Sequence, residues 1–220
     1  MTIRAVVFDL DGTLVDSLPD IGGSMNQVLR SLGLPPHPLS AYREFVGEGV
    51  LRLVERALPP GFAAREQAVA AFREVYGARL TAESRVYPGI AELLAGLEAR
   101  GVPCAVCSNK PHGMTERVVR ALLGEASFVC VEGERPERPR KPDPAAALDV
   151  ARALGVAPSE VAFVGDTKTD MQTAVAAGMQ PVGVAWGFRD RAELEEHGAA
   201  LVVEDPAELL AWAQAAGPGA

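Results

Sequence analysis

The chain has 220 residues, of which 48% are hydrophobic and 23% are charged, a composition that excludes general disorder and is typical of one or two globular domains. The formal net charge is −8, so the overall electrostatic field repels nucleic acid and anionic membrane surfaces. No apolar run approaches the roughly 18 residues of a spanning helix, and no secretory-signal pattern is present, which predicts a soluble, cytoplasmic protein.

Short segments rich in β-branched and aromatic residues predict buried strands. They cover residues 3–8, 102–107, 127–131, 161–164 and 181–185, with a weaker one at 201–203. Helical periodicity fills the intervals, as in Ile90-Leu93-Leu94-Leu97, which Gly101 closes in a C-cap position. Strands that alternate with helices predict an α/β fold with a parallel sheet covered on both faces.

The alternation is broken once, directly after the first predicted strand. Residues 16–84 carry helical patterns without any segment that resembles a strand. Prolines and glycine at residues 34–38 and 59–61 divide this stretch into several helices. We therefore predict a small helical domain, residues 16–84, inserted into a core domain of residues 1–15 and 85–220. The last residues, 217–220, are expected to fray.

Polar residues follow three of the predicted strands at the point where each strand ends. Asp9 and Asp11 follow the first strand, Ser108 and Asn109 the second, and Asp166 the fourth. The carboxyl ends of parallel strands share one edge of the sheet, where ligands bind. Neighbouring carboxylates repel each other unless a cation or a proton relieves the repulsion. Three acids at one edge therefore predict a site for a hard cation such as Mg²⁺.

Lysine is rare in this chain, which contains only Lys110, Lys141 and Lys168 beside 18 arginines. Because surface basicity is supplied by arginine, Lys141 is expected to serve through its compact ammonium, close to a phosphate and a carboxylate. Lys110 and Lys168 are predicted to be solvated loop charges. Cys104 and Cys107 lie three apart in a predicted strand and so face opposite sides, which predicts buried thiols without a shared metal or disulfide.

Four segments resemble motifs one to four of the haloacid dehalogenase superfamily, in order and in spacing over nearly the whole chain. They are Asp9-Leu-Asp-Gly-Thr13, Ser108-Asn109, Lys141-Pro-Asp143 and Gly165-Asp166-Thr-Lys-Thr-Asp170. The inserted helices resemble the family's C1-type α-helical cap. Within the family, residues 9–17, 45–49 and 54–58 are similar to the phosphoglycolate phosphatase subgroup. The resemblance implies a Rossmann-like core with a cap.

For function, the resemblance implies a Mg²⁺-dependent phosphatase that acts through an aspartyl-phosphate. Asp9 would be the nucleophile, and Asp11 would protonate the leaving alkoxide and then deprotonate the attacking water. The metal ion would be held by the Asp9 carboxylate, the Asp11 backbone carbonyl and Asp166, with Asp170 orienting this group. The residues implied to bind the substrate's phosphoryl oxygens are Thr13, Ser108, Asn109 and Lys141.

Several other activities are weighed against this one. Asp11 argues against a dehalogenase, and the absence of lysine from residues 16–84 argues against a phosphonatase that uses a cap lysine. A signalling receiver domain has about half this length, and a catalytically inactive scaffold is disfavoured because no motif acid is missing. An isomerase like β-phosphoglucomutase and a pyrophosphatase of the same family remain open.

The substrate is expected to be a small phosphate ester, preferably 2-phosphoglycolate. The polar candidates in the predicted cap are Arg43, Glu48, Arg52 and Arg56, and an arginine among them could pair with a substrate carboxylate. Taken singly, each of the four is expected to be a solvated helix charge. No nucleic-acid or membrane partner is expected, and the protein is expected to be a monomer or a homodimer.

Overall fold

The computed structural model describes residues 2–217. The strands are β1 (Ala5–Phe8), β2 (Val15–Asp16), β3 (Arg85–Val86), β4 (Cys104–Pro111), β5 (Phe128–Glu134), β6 (Val161–Gly165), β7 (Gln180–Val184) and β8 (Leu201–Val203). The helices are α1 (Leu18–Ser31), α2 (Tyr42–Phe45), α3 (Val50–Ala57), α4 (Arg65–Ala78), α5 (Ile90–Glu98), α6 (His112–Leu122), α7 (Ala145–Leu154), α8 (Lys168–Ala177), α9 (Arg191–Glu196) and α10 (Pro206–Ala215). Short 3-10 helices cover Leu39–Ala41 and Pro158–Glu160.

Six strands form one parallel sheet in the order β5-β4-β1-β6-β7-β8, which confirms the predicted α/β fold class. The chain builds outward from β1 in one direction through β4 and β5, and in the other through β6 to β8. The reversal leaves a crevice beyond the carboxyl end of β1, where open α/β sheets bind ligands. Strand β4 continues as far as Pro111. The residues Ser108, Asn109 and Lys110 therefore lie on the strand and not after it.

Successive side chains of the buried strands pack on opposite faces of the sheet. Val6 and Phe8 of β1 belong to the hydrophobic cluster under α5 and α10, whereas Val7 belongs to the cluster under α7 and α8. Cys104 and Cys107 divide between the same two clusters, as their spacing predicts. Burial raises the pKa of both thiols to about 12, so they are structural residues of the core.

The helices α1 to α4 form a bundle between β2 and β3. These two strands pair antiparallel, with Val15 opposite Val86 and Asp16 opposite Arg85. The sequence pattern predicts no strand within residues 16–84. This prediction is wrong for Asp16, which belongs to β2. A strand of two residues is too short to show periodicity in the sequence. The bundle and the core share one continuous hydrophobic cluster, and their division into two domains stays a prediction.

No helix within residues 2–217 has the length and apolar character needed to cross a membrane. Residues 218–220, which belong to the segment expected to fray, lie outside the described residues.

One buried carboxylate ties the start of the bundle to its end. Asp20, in the first turn of α1, accepts hydrogen bonds from the Ser84 hydroxyl at 2.7 Å and from the backbone N–H groups of Ser84 and Glu83 at 2.7 and 2.9 Å. Arg79 adds an ion pair at 3.3 Å. Burial alone would raise the pKa of Asp20, but the hydrogen bonds from Ser84 and Glu83 outweigh it and lower the pKa.

We expect Asp20→Asn to lower the free energy of unfolding by about 2 kcal/mol at neutral pH, because a buried acceptor of several hydrogen bonds is lost. The folded-state pKa of Asp20 lies below its usual 3.8, so its stabilising effect is complete above that value and is lost as the pH falls through the folded-state pKa. The measurement is urea unfolding of the parent and of Asp20→Asn at neutral and acidic pH. The difference in their free energies of unfolding is expected to be smaller at acidic pH.

The matched control is Asp149→Asn, at a side chain that is 40% exposed and pairs with Arg138 at 2.9 Å. A surface ion pair of this kind contributes less than about 1 kcal/mol. Equal losses in the two variants would contradict the role assigned to Asp20.

Candidate active site

Three buried carboxylates converge at the carboxyl edge of the sheet. Asp9 directly follows β1, Asp166 directly follows β6, and Asp170 lies in the first turn of α8. Each offers an oxygen, and these oxygens lie within 4.8 Å of one another. The topology of the sheet therefore brings Asp9 together with two carboxylates that lie more than 150 residues further along the chain.

Asp166 is completely buried and is held by two donors from different loops. The Thr13 hydroxyl donates to Oδ1 at 3.0 Å, and the Phe188 backbone N–H donates to Oδ2 at 2.8 Å. Burial, and then the neighbouring charges of Asp170 and Asp9, raise the pKa of Asp166 well above its usual value. Gly12 makes this approach possible, because its φ is +92° and a Cβ there would lie 2.2 Å from Oδ2 of Asp166.

Lys141 is the cation at the centre of this group. Its buried Nζ lies 2.7 Å from Oδ1 of Asp170, 2.8 Å from the Cys107 carbonyl oxygen and 3.0 Å from Oδ1 of Asp9. The contact to Asp9 is an ion pair without hydrogen-bond geometry, so this buried Asp9 oxygen has no hydrogen-bond partner among the described residues. Burial lowers the pKa of Lys141, but Asp170 and Asp9 outweigh it and raise the pKa, which keeps the ammonium charged.

The environment of Asp9 makes ionisation of its carboxyl group less favourable than usual. Burial raises the pKa of Asp9 to about 6, against the opposing charge of Lys141 and with additional repulsion from Asp170 and Asp11. A cation bound among these carboxylates would relieve that repulsion.

A second ammonium group faces Asp11. Nζ of Lys110 lies 2.6 and 2.7 Å from the two carboxylate oxygens of Asp11, and Lys110 is 6% exposed. The prediction that Lys110 is a solvated loop charge is therefore wrong, because β4 continues through this residue and carries it under the helical bundle. Two features of the sequence could have indicated its place in the site: Lys110 is one of three lysines in the chain, and it directly follows Ser108-Asn109. Lys168, by contrast, is partly buried at the start of α8.

The charges of the site do not balance. The carboxylates of Asp9, Asp11, Asp166 and Asp170 face the two ammonium groups of Lys110 and Lys141, which leaves two negative charges uncompensated when all are ionised. Clustered carboxylate oxygens are the ligands of hard divalent cations. The charge deficit and the unpartnered oxygen of Asp9 both fit an ion of this type.

The residues implied to bind phosphoryl oxygens differ in what their donors do in this structure. Asn109 donates both amide hydrogens, to the carbonyl oxygens of Gly47 at 3.1 Å and of Lys141 at 3.0 Å. Thr13 donates to Asp166, and Lys141 donates to Asp170 and to the Cys107 carbonyl. The Ser108 hydroxyl oxygen accepts a hydrogen bond from the Lys110 backbone N–H. Its own proton has no acceptor within residues 2–217, unlike the donors of the other three residues.

A cavity lies between this edge of the sheet and the helical bundle. It encloses about 500 Å³ of space free of protein atoms, including its opening to solvent. Its polar lining comprises Asp9, Asp11, Ser108, Asn109, Lys110 and Tyr76. Its apolar lining comes mainly from the bundle and comprises Ile21, Val46, Val50, Leu53 and Phe72.

The four polar candidates of the predicted cap, Arg43, Glu48, Arg52 and Arg56, do not line this cavity. Arg43 donates to the Gly187 carbonyl oxygen at 2.7 Å across the boundary between bundle and core. Arg56 pairs with Glu48, and Arg52 pairs with its helix neighbour Glu55 at 2.9 Å. In this structure these charges are therefore engaged in contacts outside the cavity.

The loop after β7 connects the bundle to the carboxylates, and the sequence analysis missed it. Arg189 donates to the carbonyl oxygens of Arg43, Glu44 and Val46 at the end of α2. Two residues of the same loop reach the acidic group: Phe188 donates to Asp166, and the Trp186 indole donates to the Thr13 carbonyl oxygen at 2.9 Å. A signal was present in the sequence, because Trp186, Arg189 and Asp190 follow the fifth strand of the predicted sheet, at the edge where ligands bind.

Comparisons with known proteins agree with this architecture. The family model of haloacid dehalogenase-like hydrolases matches residues 3–178. The phosphoglycolate phosphatase of Pseudomonas putida is 40% identical over 222 residues, which cover 94% of this chain and 78% of that protein.

Two solved structures superpose closely on the chain. A predicted phosphoglycolate phosphatase of Haemophilus somnus has a TM-score of 0.88 at 28% identity, covering 96% of this chain and 98% of its own. A haloacid dehalogenase-like family protein of Streptococcus pneumoniae has a TM-score of 0.87 at 28% identity, with the same two coverages of 96% and 98%. The sheet order, the inserted helices and the family match lead to one assignment: the chain belongs to the haloacid dehalogenase-like hydrolases.

Proposed function

We propose that this protein is a Mg²⁺-dependent phosphatase that hydrolyses 2-phosphoglycolate through an aspartyl-phosphate intermediate on Asp9. The observation that carries the proposal is the Asp9 carboxylate, which lines the cavity, touches Lys141 and keeps one buried oxygen without a hydrogen bond. The Pseudomonas putida relative, named as a phosphoglycolate phosphatase, supports the choice of substrate.

The metal ion would be held by the carboxylates of Asp9 and Asp166 and by the backbone carbonyl of Asp11. Asp170 would keep this group in place, because its own oxygens are fixed by Lys141 and by the Thr167 hydroxyl at 2.6 Å. When bound, Mg²⁺ supplies positive charge that allows an anionic carboxylate and an anionic phosphate to approach each other.

The remaining chemistry is done by residues of the chain. An Asp9 oxygen attacks phosphorus, the bond from phosphorus to the ester oxygen breaks, and Asp11 gives a proton to the leaving alkoxide. A water molecule then attacks the aspartyl-phosphate, Asp11 takes its proton, and inorganic phosphate leaves while Asp9 is restored. Ser108 would donate a hydrogen bond to the phosphoryl oxygens. Lys141 and Thr13 would act through the carboxylates that they contact, Asp9 and Asp166. Asn109 would donate to a phosphoryl oxygen once its hydrogen bond to the Gly47 carbonyl opens.

An isomerase acting on a hexose phosphate is the second candidate, since it shares the acid pair of motif one. The apolar wall of the cavity favours a small substrate over a sugar, whose many hydroxyl groups would lose hydrogen bonds to water there. A comparison of kcat/KM for 2-phosphoglycolate, pyrophosphate, a generic phosphomonoester and β-glucose 1-phosphate tests the choice. The highest value is expected for phosphate release from 2-phosphoglycolate, and preferred conversion of β-glucose 1-phosphate to its isomer would overturn the proposal.

We expect Asp9→Asn to abolish turnover, a loss of at least about 10³-fold, because the amide is a poor nucleophile and the covalent step is removed. The fold is expected to remain, since the variant removes one member of a repelling carboxylate group. Release of inorganic phosphate measures activity, and circular dichroism with thermal unfolding measures the fold. Asp149→Asn, remote from the site, is the matched control and keeps parental turnover; near-parental turnover of Asp9→Asn would show that the nucleophile is another residue.

We expect Mg²⁺ to raise the Tm of the protein by several degrees, because a ligand that binds only the folded state stabilises it by mass action. Chelator is expected to reverse this shift and to stop turnover. In Asp166→Asn the Mg²⁺-dependent rise in Tm is expected to disappear, whereas Asp149→Asn keeps it. Undiminished turnover in chelator, or the same rise in Tm for both variants, would contradict the assigned metal site.

A further inference from the structure

One side chain of the cavity has a polar group that nothing in the proposed reaction uses. Tyr76, on the last turn of α4, is 2% exposed, and its hydroxyl has no hydrogen-bond partner among the described residues. Its ring stacks on Phe72, with ring centroids 5.3 Å apart and planes at 21°, so the hydroxyl is held in one place. Burial raises the pKa of Tyr76, and the hydroxyl keeps its proton and can donate. A buried donor without an acceptor is costly unless a ligand supplies one.

The cavity lining also contains a cation next to Tyr76, the ammonium group of Lys110. Its Nζ lies 5.0 Å from the centroid of the Tyr76 ring. An ammonium group has three donors, and the two oxygens of Asp11 take two of them. The ammonium group of Lys110 from the core and the O–H group of Tyr76 from the bundle therefore lie next to each other, where both can contact the same ligand.

The surroundings restrict what these two donors can bind. Neighbouring lining residues from the bundle, including Ile21, Leu53 and Phe72, are apolar and would make an unpaired polar group of a ligand costly. Asp9 and Asp11 already contribute negative charge, so a further anionic group is stable only next to a cation. A carboxylate satisfies the ammonium and the hydroxyl together, because its oxygens accept several hydrogen bonds.

We propose that Tyr76 and Lys110 together bind a carboxylate at the non-phosphate end of the substrate, and that Tyr76 is a specificity-determining residue. This inference rests on the proposed phosphatase function and names the groups that would distinguish a phosphorylated hydroxy acid from an uncharged phosphate ester. Tyr76 and Lys110 take the place of the cap arginines as candidates to bind the substrate carboxylate, because the arginine side chains form contacts outside the cavity.

Binding is tested first, because it does not depend on turnover. The probes are 3-phosphonopropionate, which cannot be hydrolysed and carries a carboxylate, and propylphosphonate, which lacks the carboxylate. Titration calorimetry in Mg²⁺ buffer is expected to show the parent enzyme binding 3-phosphonopropionate at least about tenfold more tightly. In Tyr76→Phe this ratio is expected to fall about tenfold, the effect of one lost hydrogen bond to a charged group.

Tyr42→Phe is the matched control, because its hydroxyl donates to Oδ1 of Asn26 at 2.8 Å within the bundle and does not reach the cavity. It is expected to keep the parental ratio. Lys110→Met, measured in binding only, provides a second test if Tyr76→Phe does not fold, and it is expected to lower the ratio at least as much. An unchanged ratio in either cavity variant, or equal affinity of the parent for both probes, would overturn the inference.

Kinetics separate this inference from the proposed function. The ratio of kcat/KM for 2-phosphoglycolate over ethyl phosphate is expected to fall about tenfold in Tyr76→Phe, chiefly through KM for 2-phosphoglycolate. Hydrolysis of both esters with the parental ratio in Tyr76→Phe would overturn the role of Tyr76 and leave the phosphatase proposal standing. Absence of hydrolysis by the parent enzyme would overturn the phosphatase proposal itself and, with it, the assigned substrate.

Discussion

Electrostatic repulsion among buried carboxylates is the constraint on which the rest of this site depends. Asp9, Asp166 and Asp170 bring oxygens within 4.8 Å of one another in a buried environment, and the ammonium group of Lys141 contacts Asp9 and Asp170. Such an arrangement is unfavourable by itself, as the raised pKa values of Asp9 and Asp166 show. The fold holds it in place with hydrogen bonds to individual oxygens, and the uncompensated negative charge fits a bound cation.

The bundle is connected to the same group of charges by hydrogen bonds across its boundary with the core. Asn109 joins the Gly47 carbonyl of the bundle to the Lys141 backbone of the core. Arg189 holds the end of α2, while its neighbour Phe188 holds Asp166. Docking of the bundle and positioning of the site therefore use adjacent residues of the same loop, Arg189 and Phe188.

Much of this arrangement could be predicted from the amino-acid pattern. The strands and the inserted helices are visible because burial imposes a period of two or 3.6 residues on the side chains that face the core. The acids after β1 and β6 and the pair Ser108-Asn109 are visible because parallel strands place their carboxyl ends at one edge. The prediction of a solvated loop charge for Lys110 is wrong for a physical reason. The environment of Lys110 depends on where β4 ends and on how closely the bundle packs on the core, and the local sequence indicates neither.

The sequence by itself determined the fold class, the family resemblance and the edge of the sheet where the charged residues gather, because these follow from local periodicity and from residues at fixed positions after strands. Only the tertiary structure decided which donor meets which acceptor. The pairing of Lys110 with Asp11 and the donation of Thr13 to Asp166 join residues that are far apart in the chain. Such contacts are selected by the packing of whole elements against each other, and no short stretch of sequence contains both partners.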